Sequence, residues 1–269
     1  MASKYYGDGG RLKGRPDPML INTAYAHDCD DGPVLLDGLL KANMAHALML
    51  IEEGIIPKDE GQKLLSGLVE LTKRPASRFE FNPELGDAYN SVDHELTRLI
   101  GKASGWLHVG RPRREAVNIG YLIAIRDRVF ILAESLLNLA GNLLSLSERE
   151  KETIAPDFTY LLHAQPTSLG HYLTTFLFPI FRDLERLQGY FSRHNQSPAG
   201  SGSVNGSSLP MNRDALARYL GFDKPLEHSR DGMWQTDLPM ELMAITSTCL
   251  LYTSPSPRDQ RGSRMPSSA

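Results

Sequence analysis

Apolar residues recur at steps of three and four through Leu35, Leu36, Leu39, Leu40, Met44, Leu48 and Ile51, the spacing of one helical face. Gly54-Ile55-Ile56-Pro57 stops that pattern, and Pro57 followed by Asp59 and Glu60 suits the start of a second helix through Leu64, Leu65, Leu68 and Leu71. A third helix is expected from about Val92 to Lys102. From Arg113 to about Glu152 there is no proline, and Leu122, Ile125, Val129, Leu132, Leu136, Leu139, Leu143 and Leu146 keep the helical spacing. About 38 residues at 1.5 Å each reach roughly 57 Å, longer than a compact domain needs, which points to a bundle strut or an oligomer core. Another long helix is expected from Thr167 to about Asn195, kinked at Pro179. Ser197 to Pro210 reads as a loop, and further helices follow from about Asn212 to Leu220 and from Met233 to Leu251. No segment alternates apolar and polar residues over a strand's length, so the chain reads as all-α. A smaller helical N-terminal domain over 1–105 and a central bundle over 106–251 are expected.

The pattern breaks at Tyr252. The stretch to Ala269 holds three prolines and six serines or threonines, with no Leu, Ile, Val or Phe. It resembles translated adapter sequence and is expected to be a non-native tail, outside any fold reasoning.

Composition narrows the class. The 269 residues are 41% hydrophobic and 23% charged, with a formal net charge of −3. That composition suits a globular protein and argues against a protein that coats nucleic acid or an anionic membrane. Cys29 and Cys249 lie far apart, outside any disulfide or zinc-ligand pattern, and a reducing, cytoplasmic setting is expected. The charged first 30 residues offer no secretory signal. The most apolar stretch, Val117 to Leu146, contains Arg126, Asp127, Arg128 and Glu134, which disfavours a bilayer span.

Chemistry concentrates in three loops, Gly86 to Asp93, Gly110 to Glu115 and Thr159 to Pro166. Arg111, Arg113 and Arg114 crowd the N-terminal end of the longest helix, where the macrodipole already disfavours cations. A bound carboxylate or phosphate would relieve that repulsion through guanidinium forks and free helix N–H groups; surface pairing with Glu115, Asp87 or Asp93 would do the same. Thr159, Tyr160, His163, Gln165, Ser168 and His171 fall within one short segment. Either Tyr160 or His163 transfers a proton there while Thr159 and Gln165 bind substrate, or Gln165 and Ser168 cap the helix that Pro166 starts. No metal is expected, because His163 and His171 are two helical turns apart with Pro166 between them. Gly200 to Gly206 lacks the spacing of a dinucleotide fingerprint and reads as a tight connection that lets backbone approach a neighbouring helix or a ligand.

Taken in order, these segments resemble the argininosuccinate lyase branch of the aspartase/fumarase superfamily. Gly9-Gly10-Arg11-Leu12 is similar to that branch's Gly-Gly-Arg-Phe opening, and Asp87 to Asp93 sits where it has Glu-Asp-Val-His. Leu107-His108-Val109-Gly110-Arg111-Pro112-Arg113 resembles Leu-His-Thr-Gly-Arg-Ser-Arg, and Phe158-Thr159-Tyr160-Leu161 with Ala164-Gln165-Pro166 resembles Tyr-Thr-His-Leu-Gln-x-Ala-Gln-Pro. Ser197 to Gly202, Pro210 to Arg213 and Leu220-Gly221-Phe222 resemble the segment that follows.

The resemblance implies an aspartase/fumarase-like all-α fold, a homotetramer of full-length chains, sites built from loops of three chains and no cofactor. It also implies a β-elimination: a base removes the proton next to a carboxylate, the carbanion is held as an aci-carboxylate, and an amine leaves to give fumarate. A small dicarboxylate-containing substrate is the implied partner, with Arg111, Arg113, Arg114, Thr159 and Gln165 binding it. Tyr160 stands at the place of the branch's acid/base histidine, and Arg114 at that of its substrate-binding Asn. Trp234-Gln235-Thr236-Asp237 stands where the branch has Ser-Asp-Arg-Asp. The branch's third signature, Gly-Ser-Ser-x-Met-Pro-x-Lys-x-Asn, carries its base serine and has no full match here; Gly262 to Pro266 is one residue short and lacks the Lys and Asn. The expectation is therefore a C-terminally truncated lyase, inactive as it stands. The alternatives are a non-catalytic helical scaffold and a related lyase acting on a different succinyl-amine, which the extra arginine would fit.

Overall fold

The computed structural model describes residues 16–160, 162–233 and 235–253. Gly9 to Leu12, Leu161, Trp234 and all but the start of the expected tail lie outside the described residues. Contacts divide the chain into two compact units, one running to Arg126 and taking in Asn195–Gln235, the other holding Asp127–His194 and the chain from Thr236. The division falls inside the longest helix and not at 105/106. Residues 195–235 return to the first unit's helices, as the contacts of Asn212 and Tyr219 below show.

In the first unit, a short helical lead-in (Pro18–Leu20, a π-helical turn Ile21–Tyr25, Ala26–Asp30) precedes α1, Gly32–Glu52. Pro33 sits in the first turn of α1, where its missing N–H costs nothing. Leu35, Leu36, Leu39, Leu40, Ala45, Ala47, Met49 and Leu50 are all buried, so α1 is apolar around most of its circumference and forms the unit's core. α2, Lys58–Thr72, carries Asp59 and Glu60 in its first turn and buries Leu64, Leu68 and Leu71, one stripe at steps of four and three. α3, Ala88–Ile100, starts on the Asp87 carboxylate, which accepts the Asn90 N–H at 3.0 Å, and ends at Gly101 with φ +64°.

α4 is Arg113–Arg149, 37 residues without interruption. Its first turns bury Ala116, Ile119, Leu122 and Ile123 in the first unit. Gly38 of α1 faces Gly120 of α4 so closely that a Cβ on Gly38 would stand 2.7 Å from the Gly120 carbonyl oxygen. α7, Arg213–Leu220, is capped by Asn212 at its start and by Gly221 in the left-handed region at its end. It is tied to the end of α1 by Asn212 Nδ2 donating to Glu53 at 2.7 Å and by the Tyr219 hydroxyl on Glu52. Arg126 donates to the last carbonyls of α7, Leu220 and Gly221, and stacks over Phe222. A two-residue parallel pairing joins β3, Gln196–Ser197, to β4, Lys224–Pro225.

In the second unit α4 continues into a hairpin absent from the sequence expectation: β1, Ile154–Thr159, pairs antiparallel with β2, Leu162–Ser168, with an irregularity between Pro156 and Phe158. Almost every residue of it is exposed, so it had no buried face to impose alternation on the sequence. The helix expected from Thr167 starts at Leu169 instead, because Ser168 supplies the cap by accepting the His171 N–H. Pro179 splits that helix outright. α5, Leu169–Thr174, ends before α6, Leu177–His194, whose first turn accommodates the proline. α8, Asp237–Thr253, packs on α6 through the buried Asp183, which accepts from Arg186, from Thr248 Oγ1 at 2.6 Å and from the Cys249 thiol at 3.5 Å. The described residues are thus all-α apart from the hairpin and the short pairing.

By length and composition α1 and α4 could each cross a membrane. In α1, however, 67% of the apolar window is buried inside the unit with Asn43 and His46, as in a core helix. In α4 the apolar window is 17% buried, and Arg126, Asp127 and Arg128 lie in the same helix, where a hydrocarbon layer would penalise them.

The Gly38 contact makes a checkable claim. Gly38→Ala should cost about 1–3 kcal/mol by overpacking, against the gain of up to about 1 kcal/mol expected for an unconstrained helical glycine. Urea denaturation decides the sign, and a stabilised variant would refute the close approach.

Candidate active site

The geometry around the start of α4 begins with Gly110. Its φ of +69° turns the chain, and a Cβ there would press on Leu209 and Met211. Just before the turn, the Val109 carbonyl accepts from Nε2 of His46 at 2.9 Å. Just after it, Arg111 turns inward, 3% exposed, donating from Nη1 to the Ala42 carbonyl at 3.0 Å and from Nη2 to Asn43 Oδ1 at 2.6 Å. Burial, reinforced by the Arg111 charge, holds the His46 imidazole well below its ordinary pKa of 6.5.

Arg113 and Arg114 point elsewhere. Together they line a cavity of about 200 Å³ with Tyr25, Asp28, Leu35, Asp87, Ala88, Tyr89, Val117 and Tyr121. Arg114, Val117 and Tyr121 follow one another at steps of three and four, which places them on one face of α4. Arg113 Nη1 lies 3.4 Å from Asp87 Oδ2, a half-exposed pair worth no more than about 1 kcal/mol and therefore exchangeable for a ligand carboxylate. The Tyr121 hydroxyl donates to Asp31 Oδ2 at 2.6 Å, and burial together with that carboxylate pushes its ionisation upward. Burial also pushes the Tyr89 phenol up, so both tyrosines stay neutral.

Behind this face, Glu115 is fully buried. Its two carboxylate oxygens accept the N–H groups of Gly200 at 2.9 Å and Gly202 at 2.6 Å, inside a loop whose glycines take φ of +80° and +64°. Burial pushes the Glu115 carboxyl upward, opposed by those two amides and by the nearby Arg111 and Arg213 charges. The glycine-rich connection is a cradle for a carboxylate of its own chain.

Thr159, Tyr160 and Gln165 belong to the hairpin of the second unit. Tyr160 caps the hairpin at φ 49° with 98% of its surface exposed, and Phe158 packs on His163 beside it. Thr159 and Gln165 are exposed strand residues, and Gln165 caps no helix. Of the expected substrate residues, the structure thus brings Arg113 and Arg114 to one cavity, gathers Thr159, Tyr160 and Gln165 on one hairpin, and turns Arg111 into the interior. Sequence reasoning missed Tyr25, Asp28, Tyr89 and Tyr121; the spacing of Tyr121 from Arg114 was the available signal. Among the described residues, no three His, Cys, Asp or Glu side chains are grouped to hold a metal ion.

The very long helix in a helical fold is shared with lyases of known structure. EDDS lyase in complex with formate superposes with a TM-score of 0.69 at 25% identity, covering 92% of this chain and 51% of that one. A class II fumarase from Schistosoma mansoni gives a TM-score of 0.70 at 12% identity over 81% and 54%, a likeness of fold alone. A family model described as lyase matches residues 34–254, and the chain belongs to that family. Argininosuccinate lyases are similar to it: that of Ehrlichia ruminantium (strain Welgevonden) is 36% identical over 249 residues, 91% of this chain and 53% of the relative. That of Methanocaldococcus jannaschii is 36% identical over 203 residues, 75% and 42%. The chain spans about half the length of the curated relatives it matches.

His46 makes the acid stability of the first unit testable. Its folded pKa lies below the unfolded value of 6.5, so its contribution is complete above pH 6.5 and is lost as pH falls below it. Wild-type stability should exceed that of His46→Gln by an amount that shrinks between pH 7 and 5, with a slope of at most about 1.4 kcal/mol per pH unit. A pH-independent difference in denaturation free energy would contradict the buried neutral imidazole.

Proposed function

We propose that this chain carries the dicarboxylate-binding part of a carbon–nitrogen lyase that eliminates an amine from an N-succinyl substrate and releases fumarate. The observation that carries the reading is the pairing of Arg113 and Arg114 on one cavity at the N-terminal end of α4. Likeness to proteins named argininosuccinate lyase supports it. In such an elimination the proton beside a carboxylate passes to a base. The electrons of that C–H bond form the C=C bond, and those of the C–N bond leave with the amine, which takes up a proton. Negative charge grows on the carboxylate as the proton departs, and preorganised guanidinium and helix N–H donors are what stabilise it.

In this reading Arg113 and Arg114 bind the two succinyl carboxylates, Thr159 and Gln165 donate hydrogen bonds, and Tyr160 delivers a proton to the leaving amine. Arg111 shapes the turn that presents its neighbours. The elimination requires no redox or electrophilic cofactor by its own chemistry. The hairpin's exposure suits a site completed by other copies in a homotetramer, and the exposed Phe130, Ile131, Leu137 and Leu144 of α4 suit the helix contacts such an assembly needs. Two free thiols agree with a cytoplasmic setting.

Calorimetric titration with succinate tests the binding step. Saturable binding is expected, weakened about tenfold or more by Arg113→Ala or Arg114→Ala, since a charge-assisted hydrogen bond contributes about 1.5–3 kcal/mol. Absent binding, or binding indifferent to both changes, would sink the reading. With argininosuccinate the 269-residue chain should release no fumarate by absorbance, because it holds no full match to the base-serine loop. Release would place a working base among its own residues.

A further inference from the structure

Glu115 is the one carboxylate of the 109–115 segment that faces the interior, and the binding reading gives it no role. It follows Arg114 by about 100° around the helix and Arg113 by about 200°, so it faces away from the arginine side of α4. Its two oxygens are committed to two amides of one loop, Gly200 and Gly202. That loop is itself closely packed. A Cβ on Gly200 would stand 2.7 Å from Cγ of Arg213, and Gly202 packs against the Gly206 backbone. Arg213 in turn donates to the Ala199 and Leu226 carbonyls at 3.2 and 2.6 Å, locking the loop to the start of α7. Three cations stand within four residues before Glu115, at the helix end that repels them. The first turn of α4 would relax by rotating or fraying unless something held its opposite side.

We propose that Glu115 is a positioning residue for the dicarboxylate site: by accepting both glycine amides it fixes the rotation and register of the first turn of α4, and so fixes where Arg113 and Arg114 present their guanidinium groups. The inference rests on the binding reading above. A carboxylate is needed because two N–H donors converge on it. An amide of the same shape offers one acceptor oxygen and turns its NH₂ toward the second N–H, so the loop and the helix turn shift against each other.

The two elements are then energetically linked, and linkage is reciprocal: succinate bound at the arginines must tighten the Glu115 cradle by as much as the cradle tightens succinate binding. Hydrogen exchange on the wild-type chain reads this directly. Saturating succinate should slow exchange at the Gly200 and Gly202 amides, and Arg113→Ala should abolish that slowing. Glu115→Gln should raise the succinate Kd about tenfold, within the usual range of coupling between sites, when measured well below the unfolding midpoint. Glu115→Asp, which keeps both acceptors, should recover part of the loss. A residue that merely fills space would be replaced well by Gln and poorly by Asp, the reverse order. Wild-type binding with no change in exchange at Gly200 and Gly202, or with Gln binding as tightly as Glu, overturns this inference alone. No wild-type binding overturns the functional reading and this inference with it.

Discussion

An ion taken out of water must be met by the protein, and the first unit is organised around two such ions four residues apart. Arg111 and Glu115 flank the start of α4, 3% and 0% exposed. Desolvation offsets much of what their contacts return, so we read their contribution as placement more than stability. Hydrophobic burial is non-directional and would tolerate a helix that slides or rotates; charge-assisted bonds to named backbone atoms do not. Arg111 takes the Ala42 carbonyl of α1, and Glu115 takes amides from beyond residue 195. One turn of helix is thereby fixed to segments that are remote in sequence.

The helices were legible because burial writes periodicity into sequence. α1, α2 and α4 each bury apolar side chains at three- and four-residue steps, and their ends carry the proline, glycine and acidic signals that physical chemistry demands. The β1–β2 hairpin left no such trace, since nearly all its side chains face solvent and the alternation that marks a half-buried strand never arose. Pro179 was legible as a disturbance, yet its outcome, a full break between α5 and α6, depended on the Ser168 cap and on where the next turn could start.

The candidate site was legible in part. The crowding of arginines at the start of α4 was visible as an electrostatic anomaly, and two of the three do share a cavity. That Arg111 turns inward could not be read, because its partners are an Asn side chain and a backbone carbonyl about seventy residues earlier, and neither leaves a charge pattern in the sequence. Glu115 misled for a related reason. Next to three arginines it reads as a surface counter-ion, while its true partners are peptide groups, which every residue possesses and no sequence pattern reveals.

The cradle also constrains how the chain can vary. Gly202 has no room for a Cβ against Gly206, and at Gly200 a side chain would strike Arg213 while adopting a backbone conformation that L-residues disfavour. Replacing the acid at 115 alone strands two amides; replacing either glycine alone keeps its N–H but strains the turn that aims it at the acid. Viable change at these positions has to be concerted, so drift at 115 is tied to drift at 200 and 202 across an interval of more than eighty residues.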